Sequence, residues 1–166
     1  MNRKRNAVAG MVTSALAVGL AVTGPASTAH AEPGGRWYIV NQANGKCIQG
    51  NGYNKNLTLG TCRKRDAFHW NNYGSAKYTN YSTGTAPFGM ACLAGNGRNK
   101  PVSLKRCDGG AGTAGWGIAS LNNGAKTPIA NAANCGYLQA VSATALKCGK
   151  RPANRKTMTW IIKYSL

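Results

Sequence analysis

CIQGNGYNKNLTLGTC, from Cys47 to Cys62, and CLAGNGRNKPVSLKRC, from Cys92 to Cys107, are two copies of one segment that begin 45 residues apart. The copies are identical at eight of their sixteen positions. A degraded third copy, CGYLQAVSATALKC, runs from Cys135 to Cys148 and is two residues shorter. Each copy is followed by a tryptophan: Trp70, Trp116 and Trp160. Landmarks that recur every 41 to 46 residues indicate a repeat architecture of three units.

The local sequence signals are those of β-strands. Short apolar or β-branched runs recur along the chain, and clusters of glycine and asparagine separate them. The clearest runs are Trp37–Val40, Leu57–Leu59, Val102–Leu104 and Thr159–Ile162. No segment shows a sustained helical period with caps, and 22 glycines suit tight turns. The sequence therefore predicts an all-β domain in which three similar units share one core.

All six cysteines follow residue 31, and an even number in a small chain indicates disulfides. Six cysteines allow fifteen pairings, but the repeat favours pairs within each copy. These pairs are Cys47–Cys62, Cys92–Cys107 and, by what remains, Cys135–Cys148. Each bond closes a short loop and is expected to stabilise the fold by about 3 kcal/mol. We expect no metal or other cofactor, because the chain has no CxxC motif and a single histidine after residue 31.

The first 31 residues have the three parts of a secretory signal peptide. Arg3–Arg5 are positive, Ala7–Val22 is an apolar run, and Ala29–Ala31 is a small-x-small cleavage site. A membrane anchor is the competing interpretation, but the apolar run is short for one. We therefore predict cleavage near Ala31, secretion without a transmembrane anchor, and one domain over 32–166. The alanine-rich leader resembles those of actinobacterial secreted proteins, which indicates a bacterial source.

The chain is strongly basic. Eighteen of its 21 Lys and Arg follow residue 31, and the only acids there are Glu32, Asp66 and Asp108. Residues 32–166 therefore carry a net charge of +15. Such a field favours anionic partners, including acidic polysaccharide, cell-wall polymer, a membrane surface or nucleic acid. Nucleic acid is not expected for an exported chain. The alternative is that the charge serves solubility or balances an acidic protein subunit.

The repeat unit resembles that of the ricin B-type β-trefoil lectin family. The shared pattern is N-x-x-x-G-x-C-[IL], then [LV]-x-L-x-x-C, then Trp. The matching residues are Asn41, Gly45, Cys47, Ile48, Leu59, Cys62 and Trp70; Cys92, Leu93, Val102, Leu104, Cys107 and Trp116; and Cys135, Leu146, Cys148 and Trp160. The resemblance implies about twelve short strands around a pseudo-threefold axis, in repeats at roughly 36–77, 78–120 and 121–166. It also implies one disulfide per repeat and three core tryptophans.

The sugar-binding residues of the family are missing. The family pattern has an aspartate two residues after the first cysteine, an Asn-Gln-x-Trp element, and a stacking aromatic near the second cysteine. The aspartate positions hold Gln49, Ala94 and Tyr137. The aromatic positions hold Gly60, Lys105 and Leu146. Because a sugar site needs converging polar groups and a flat ring, we do not expect galactose recognition in the usual mode of the family.

Basic clusters near each second cysteine, and the twin Gly-Asn-Gly-x-Asn-Lys loops, are the candidate ligand contacts. Arginine can donate two bonds at once to sulfate, carboxylate or phosphate. The alternatives are solvated loops and turn chemistry, since Gly and Asn tolerate positive φ. The candidates are Asn54, Lys55, Arg63, Lys64, Arg65, Asn99, Lys100, Lys105, Arg106, Lys150, Arg151, Arg155 and Lys156.

Catalysis is not expected. Asp66 and Asp108 follow the second cysteines of different units, so they should lie far apart. His69 stands next to the predicted core residue Trp70, which favours a packing or surface role. The sequence thus predicts a secreted binding module for cell-surface or extracellular carbohydrate, with anionic polymers favoured. The alternative is an adaptor subunit of a secreted complex, such as a toxin, whose protein partner is encoded separately.

Overall fold

A computed structural model describes residues 36–74, 76–83, 91–108, 112–113, 115–133 and 135–165. The predicted signal peptide over 1–31 lies outside these residues and stays a prediction. No helix among the described residues has the length and apolar character needed to cross a membrane.

The described residues form twelve short strands, as the sequence predicts. They are β1 (Trp37–Asn41), β2 (Cys47–Gln49), β3 (Thr58–Gly60), β4 (Trp70–Gly74), β5 (Lys77–Asn80), β6 (Ala91–Gly95), β7 (Val102–Arg106), β8 (Trp116–Ile118), β9 (Lys126–Asn131), β10 (Gly136–Ala140), β11 (Leu146–Gly149) and β12 (Thr159–Tyr164). Three 3₁₀ turns lie at Asp66–Phe68, Tyr81–Thr83 and Arg155–Met158. Four strands per unit in three units make the fold a β-trefoil, which confirms the predicted class.

The strands pair by their place in each unit. The units comprise β1–β4, β5–β8 and β9–β12. The first strand of a unit pairs with the last strand of a unit, either its own or the preceding one: β1 with β4 and β12, β5 with β4, and β9 with β8 and β12. The two middle strands form a hairpin: β2–β3, β6–β7 and β10–β11. Because β1 pairs along its whole length with β12, the two ends of the described fold are adjacent. The N–H of Ser165 donates to the carbonyl of Arg36 at 2.9 Å.

Each hairpin hydrogen-bonds to the hairpin of the next unit. The bonds are Asn54 N–H to Leu104 O at 2.8 Å, Asn99 N–H to Cys148 O at 2.8 Å, and Leu59 N–H to Thr144 O at 2.9 Å. The three hairpins therefore form a closed cycle, in which no unit completes its backbone hydrogen bonds alone.

The three repeat tryptophans are fully buried, which confirms their predicted core role. Trp70, Trp116 and Trp160 are each 0% exposed. The indole N–H of Trp70 donates to Ile48 O at 3.2 Å, and that of Trp160 donates to Leu138 O at 3.1 Å. Truncating a buried tryptophan of this kind to alanine costs about 3–5 kcal/mol, so the three rings are central to stability.

The three predicted disulfides are present, one in each unit: Cys47–Cys62, Cys92–Cys107 and Cys135–Cys148. The third bond is not the structural equivalent of the other two. In the hairpins, Ile48 faces Leu59, Leu93 faces Leu104, and Leu138 faces Cys148. Cys148 therefore takes the core position that leucine holds in the other units, and it belongs to the main hydrophobic cluster together with Cys135.

Aligning the third unit on its cysteines is consequently wrong by two residues at Cys135 and by three residues at Cys148. The neighbouring register pairs are Cys47 with Gly60, Cys92 with Lys105, and Tyr137 with Gly149. Tyr137 thus stands where the other units have their first cysteine. The physical reason is that strand register is set by which side chains face the core, and Cys148 can fill a leucine position because a buried half-cystine is apolar.

Candidate functional site

The corrected register changes which residue of the third unit stands at the aspartate position of the family pattern, two residues after the first cysteine. Side chains alternate across a strand, so Gln49 lies on the face opposite the core residue Ile48. Its register equivalents are Ala94 and Gln139, because these pair with Ser103 and Lys147 as Gln49 pairs with Thr58. The sequence interpretation placed Tyr137 here and missed Gln139. The first and third units therefore share a glutamine on this outer face.

A cavity of about 230 Å³ opens on the outer face of the first unit. Its lining comes from the ends of β2 and β3, from the loop that follows, and from the 3₁₀ turn. The lining residues are Gln49, Gly60, Thr61, Arg63, Arg65 and Phe68. Two of the predicted basic contacts, Arg63 and Arg65, thus lie beside a polar amide and an aromatic ring. We call this the outer-face site.

Gly60, at the position where the family pattern has a stacking aromatic, lies against the ring of Phe68. A Cβ on Gly60 would lie 3.1 Å from the Phe68 ring and 2.7 Å from Gln49 Oε1, so this position has no room for a large side chain. Phe68 is 5% exposed and packs with Val40 and Cys47. The ring therefore forms part of the floor of the site instead of an exposed stacking platform.

The two arginines of the outer-face site carry unneutralised charge. Both side chains are exposed, and neither has a hydrogen-bond or ion-pair partner in the described part of the chain. The nearby acid, Asp66, is bound instead by Arg36 at 2.8 Å. A guanidinium in this state is available to bind a carboxylate, sulfate or phosphate through two parallel hydrogen bonds.

Arg106 differs, although it belongs to the equivalent cluster of the second unit. Its Nε and Nη2 donate to the two carboxylate oxygens of Asp108 at 3.0 and 2.9 Å. This bidentate pair raises the pKa of Arg106 and lowers the pKa of Asp108. The charge of Arg106 is therefore already matched within its own loop.

Among the described residues, the outer face of the other two units differs from that of the first unit. In the third unit, Gln139 Nε2 donates to the Lys150 carbonyl, and a Cβ on Gly149 would lie 2.8 Å from the same amide nitrogen. In the second unit, Ala94 supplies no polar group. Of the outer faces, as far as the structure describes them, only that of the first unit combines a free polar amide with unpaired arginines.

All thirteen predicted contacts have exposed side chains. The structure brings Arg63 and Arg65 together at one cavity, with Lys64 between them in the same loop. Lys105 and Arg106 end β7, while Lys150 and Arg151 follow β11. Arg155 and Lys156 begin the third 3₁₀ turn, where Asn154 Oδ1 accepts from Lys156 N–H at 3.1 Å.

The twin loops have a structural reason for their likeness. Asn54 and Asn99 adopt positive φ, 58° and 61°, a region that asparagine tolerates better than most residues. Their N–H groups bond to the next unit, and the carbonyls of Lys55 and Lys100 accept from Leu104 and Cys148 at 3.2 Å. The backbone of these loops thus joins consecutive units, while the lysine side chains stay exposed.

His69 is 4% exposed and takes part in a polar cluster near the chain ends. Its Nε2 lies 3.2 Å from Tyr38 Oη and 3.1 Å from Ser165 Oγ. Burial is the main cause that lowers the pKa of His69; the Arg36 charge adds to the lowering and Asp66 opposes it. Asp66 Oδ1 stands 3.8 Å from His69 Nδ1, beyond hydrogen-bond reach, so the group lacks the bond that orients the base in a Ser-His-Asp triad.

No family model matches the chain, and no curated protein matches it significantly. Solved structures with the same fold do match. The C-half of an earthworm R-type lectin in complex with GalNAc has a TM-score of 0.60 at 12% identity, covering 79% of this chain and 99% of the lectin chain. SeviL bound to asialo-GM1 saccharide has a TM-score of 0.55 at 20% identity, covering 81% and 100%. The designed threefold-symmetric protein ThreeFoil has a TM-score of 0.60 at 14% identity, covering 79% and 99%.

Proposed function

We propose that this protein is a secreted, non-catalytic β-trefoil that attaches to cell-surface or extracellular carbohydrate, with anionic polymers favoured over neutral sugars. The observation that carries the proposal is the outer-face site, where Gln49, Arg63 and Arg65 surround one cavity. Structures of the same fold include proteins solved with GalNAc or with the asialo-GM1 saccharide, which supports carbohydrate as the ligand class.

The charges at the site favour an acidic polymer. Two guanidinium groups that have no partner among the described residues stand beside one glutamine amide, so the strongest contacts available are charge-assisted bonds to carboxylate or sulfate. The Phe68 ring is buried in the floor, so the site offers little of the flat surface that neutral sugars need. The net charge of +15 over residues 32–166 adds long-range attraction to polyanions.

The proposal is tested by binding of the purified protein to immobilised polygalacturonate, a sulfated glycosaminoglycan and neutral mannan. Binding is measured at about 0.15 M and about 0.5 M salt, where the screening length falls from about 8 to about 4 Å. We expect binding to the two polyanions that weakens strongly at the higher salt. We expect Arg63→Ala and Arg65→Ala each to weaken it about tenfold, as the loss of a charge-assisted bond implies.

The control is Lys126→Ala with Lys163→Ala, which removes two exposed charges from strands outside the site. If this double control weakens binding as much as Arg63→Ala or Arg65→Ala does, attraction is unspecific and the site assignment is wrong. Salt-resistant binding to mannan would make the protein a neutral-sugar lectin. Absence of binding to every glycan would contradict the proposal and favour the adaptor subunit, with a protein partner.

A further inference from the structure

A second and larger cavity, of about 490 Å³, opens at the boundary between the second and third units. It is lined by Arg98 from the β6–β7 loop, by Ala130–Ala133 at the end of β9, and by Cys135–Tyr137 at the start of β10. Small-molecule sites commonly have volumes of about 300–1,000 Å³. We call this the boundary cavity.

The boundary cavity lies where the threefold symmetry of the sequence fails. The register position of Tyr137 is held in the first two units by Cys47 and Cys92. Both cysteines are 0% exposed, and each forms the disulfide of its unit. In the third unit the disulfide joins Cys135 to Cys148 instead, and the position holds the half-buried Tyr137. An aromatic ring thus lines a cavity at a place that a disulfide occupies in the other units.

Arg98 supplies a cation to the same cavity from the neighbouring unit. Its loop is fixed on β11 by two backbone bonds, Asn99 N–H to Cys148 O at 2.8 Å and Cys148 N–H to Lys100 O at 3.2 Å. The Arg98 side chain is exposed and has no hydrogen-bond or ion-pair partner in the described part of the chain. The first unit has Tyr53 at the equivalent loop position, so the cation is specific to this boundary.

We propose that the boundary cavity binds a sugar residue that carries a carboxylate, such as a uronate. The guanidinium of Arg98 binds the carboxylate, and the ring of Tyr137 packs on the apolar face of the sugar. This inference rests on the proposed function and adds a second, separate site to it. The outer-face site belongs to β2, β3 and the first 3₁₀ turn, whereas the boundary cavity belongs to the second and third units.

The probe is tetragalacturonate, compared with its fully methyl-esterified form, which keeps the rings but removes the charge. Amide shifts in ¹H–¹⁵N spectra of the purified protein report where each ligand binds. We expect tetragalacturonate to shift Arg98 and the amides of 130–137, and the ester to shift them weakly. Arg98→Ala should weaken binding at these amides about tenfold or more, because it removes a charge-assisted contact. Tyr137→Ala should weaken it severalfold, while Tyr137→Phe should bind like the wild type.

Matched controls separate a local contact from general effects. Lys163→Ala removes one exposed charge elsewhere, and Tyr73→Ala removes a tyrosine that is 55% exposed on β4. Both should leave the shifts at 130–137 unchanged. If Tyr137→Ala does not fold, Arg98→Ala and the methyl ester still test whether the boundary cavity binds the carboxylate.

The results that can arise are distinct. Shifts confined to Gln49–Phe68 would overturn the boundary site and leave the proposed function standing. Equal shifts from the ester and the acid at 130–137 would overturn the role of Arg98. No shifts anywhere would overturn the inference, and the proposed function would fall only if the immobilised polyanions also failed to bind.

Discussion

Gly149 lies so close to Gly136 that a Cβ on Gly136 would collide with the Gly149 carbonyl oxygen. Gly136 also has a φ of +84°, which L side chains rarely adopt. The substitution Gly136→Ala therefore combines backbone strain with a clash against immobile main chain. We expect it to lower the free energy of unfolding by about 3 kcal/mol or more, measured by denaturant titration.

Gly124 is the matched control, because its φ is +81° but nothing lies within 4 Å of the place that an added methyl group would take. Gly124→Ala should cost only the strain, about 1–2 kcal/mol. Equal losses for the two variants would show that β11 moves away from Gly136 at little cost.

The indole N–H groups allow a second comparison within the core. Trp70 Nε1 donates to Ile48 O, whereas the buried Nε1 of Trp116 has no partner among the described residues. Trp70→Phe leaves a buried carbonyl without this donor, so it should cost about 1 kcal/mol more than Trp116→Phe. Thermal and denaturant unfolding of the two variants measure the difference; a larger loss for Trp116→Phe would contradict the assignment.

The buried imidazole of His69 makes stability depend on pH. Its pKa is lowered in the folded state, so the unfolded chain binds the proton more readily. The free energy of unfolding should therefore be constant above about pH 6.5 and fall as the pH drops below it, by at most about 1.4 kcal/mol per pH unit. Unfolding measured between pH 7.5 and 5.5 checks this, since carboxyl groups ordinarily titrate lower.

His69→Gln is the control, because glutamine keeps polar atoms near Tyr38 and Ser165 but does not titrate. The variant should lose the pH dependence within this window. A wild-type protein whose stability is flat to pH 5.5 would mean that the imidazole accepts its proton without loss of packing.

Asn54 tests whether the twin loops share their form because of the backbone or because of a ligand. With φ at 58°, Asn54→Gly should keep the stability of the protein, while Asn54→Ala should lower it by about 1 kcal/mol. If the asparagine side chain also contacts a ligand, Asn54→Gly will bind polygalacturonate more weakly although it is as stable as the wild type. Unchanged binding would limit this residue to its structural role.

Much of the fold could be predicted from residues whose roles follow from local patterns. The β-branched run at Thr159–Ile162 lies within β12, and the paired cysteines form the expected bonds. The three tryptophans lie in the core, because each unit has one large apolar ring and the shared core is where the fold removes it from water.

The site was harder to predict, because cysteines are conspicuous but do not set strand register. A spacing of 45 residues links the core residues Ile48, Leu93 and Leu138. An alignment on this spacing would have placed Gln139, and not Tyr137, at the position of the family aspartate. The closeness of Arg98 to Tyr137 could not be predicted at all, since it depends on how the hairpin of one unit lies on the next.

The pairing of β1 with β12 has a consequence for how the chain could be rewired. Arg36 and Ser165 are joined by a backbone hydrogen bond, so a linker of a few residues could connect the two ends. The cycle of hairpins does not depend on where the polypeptide starts. A circular permutant opened at Asn122–Asn123, an exposed turn before β9, should therefore fold to the same trefoil, with its new ends beside another unit.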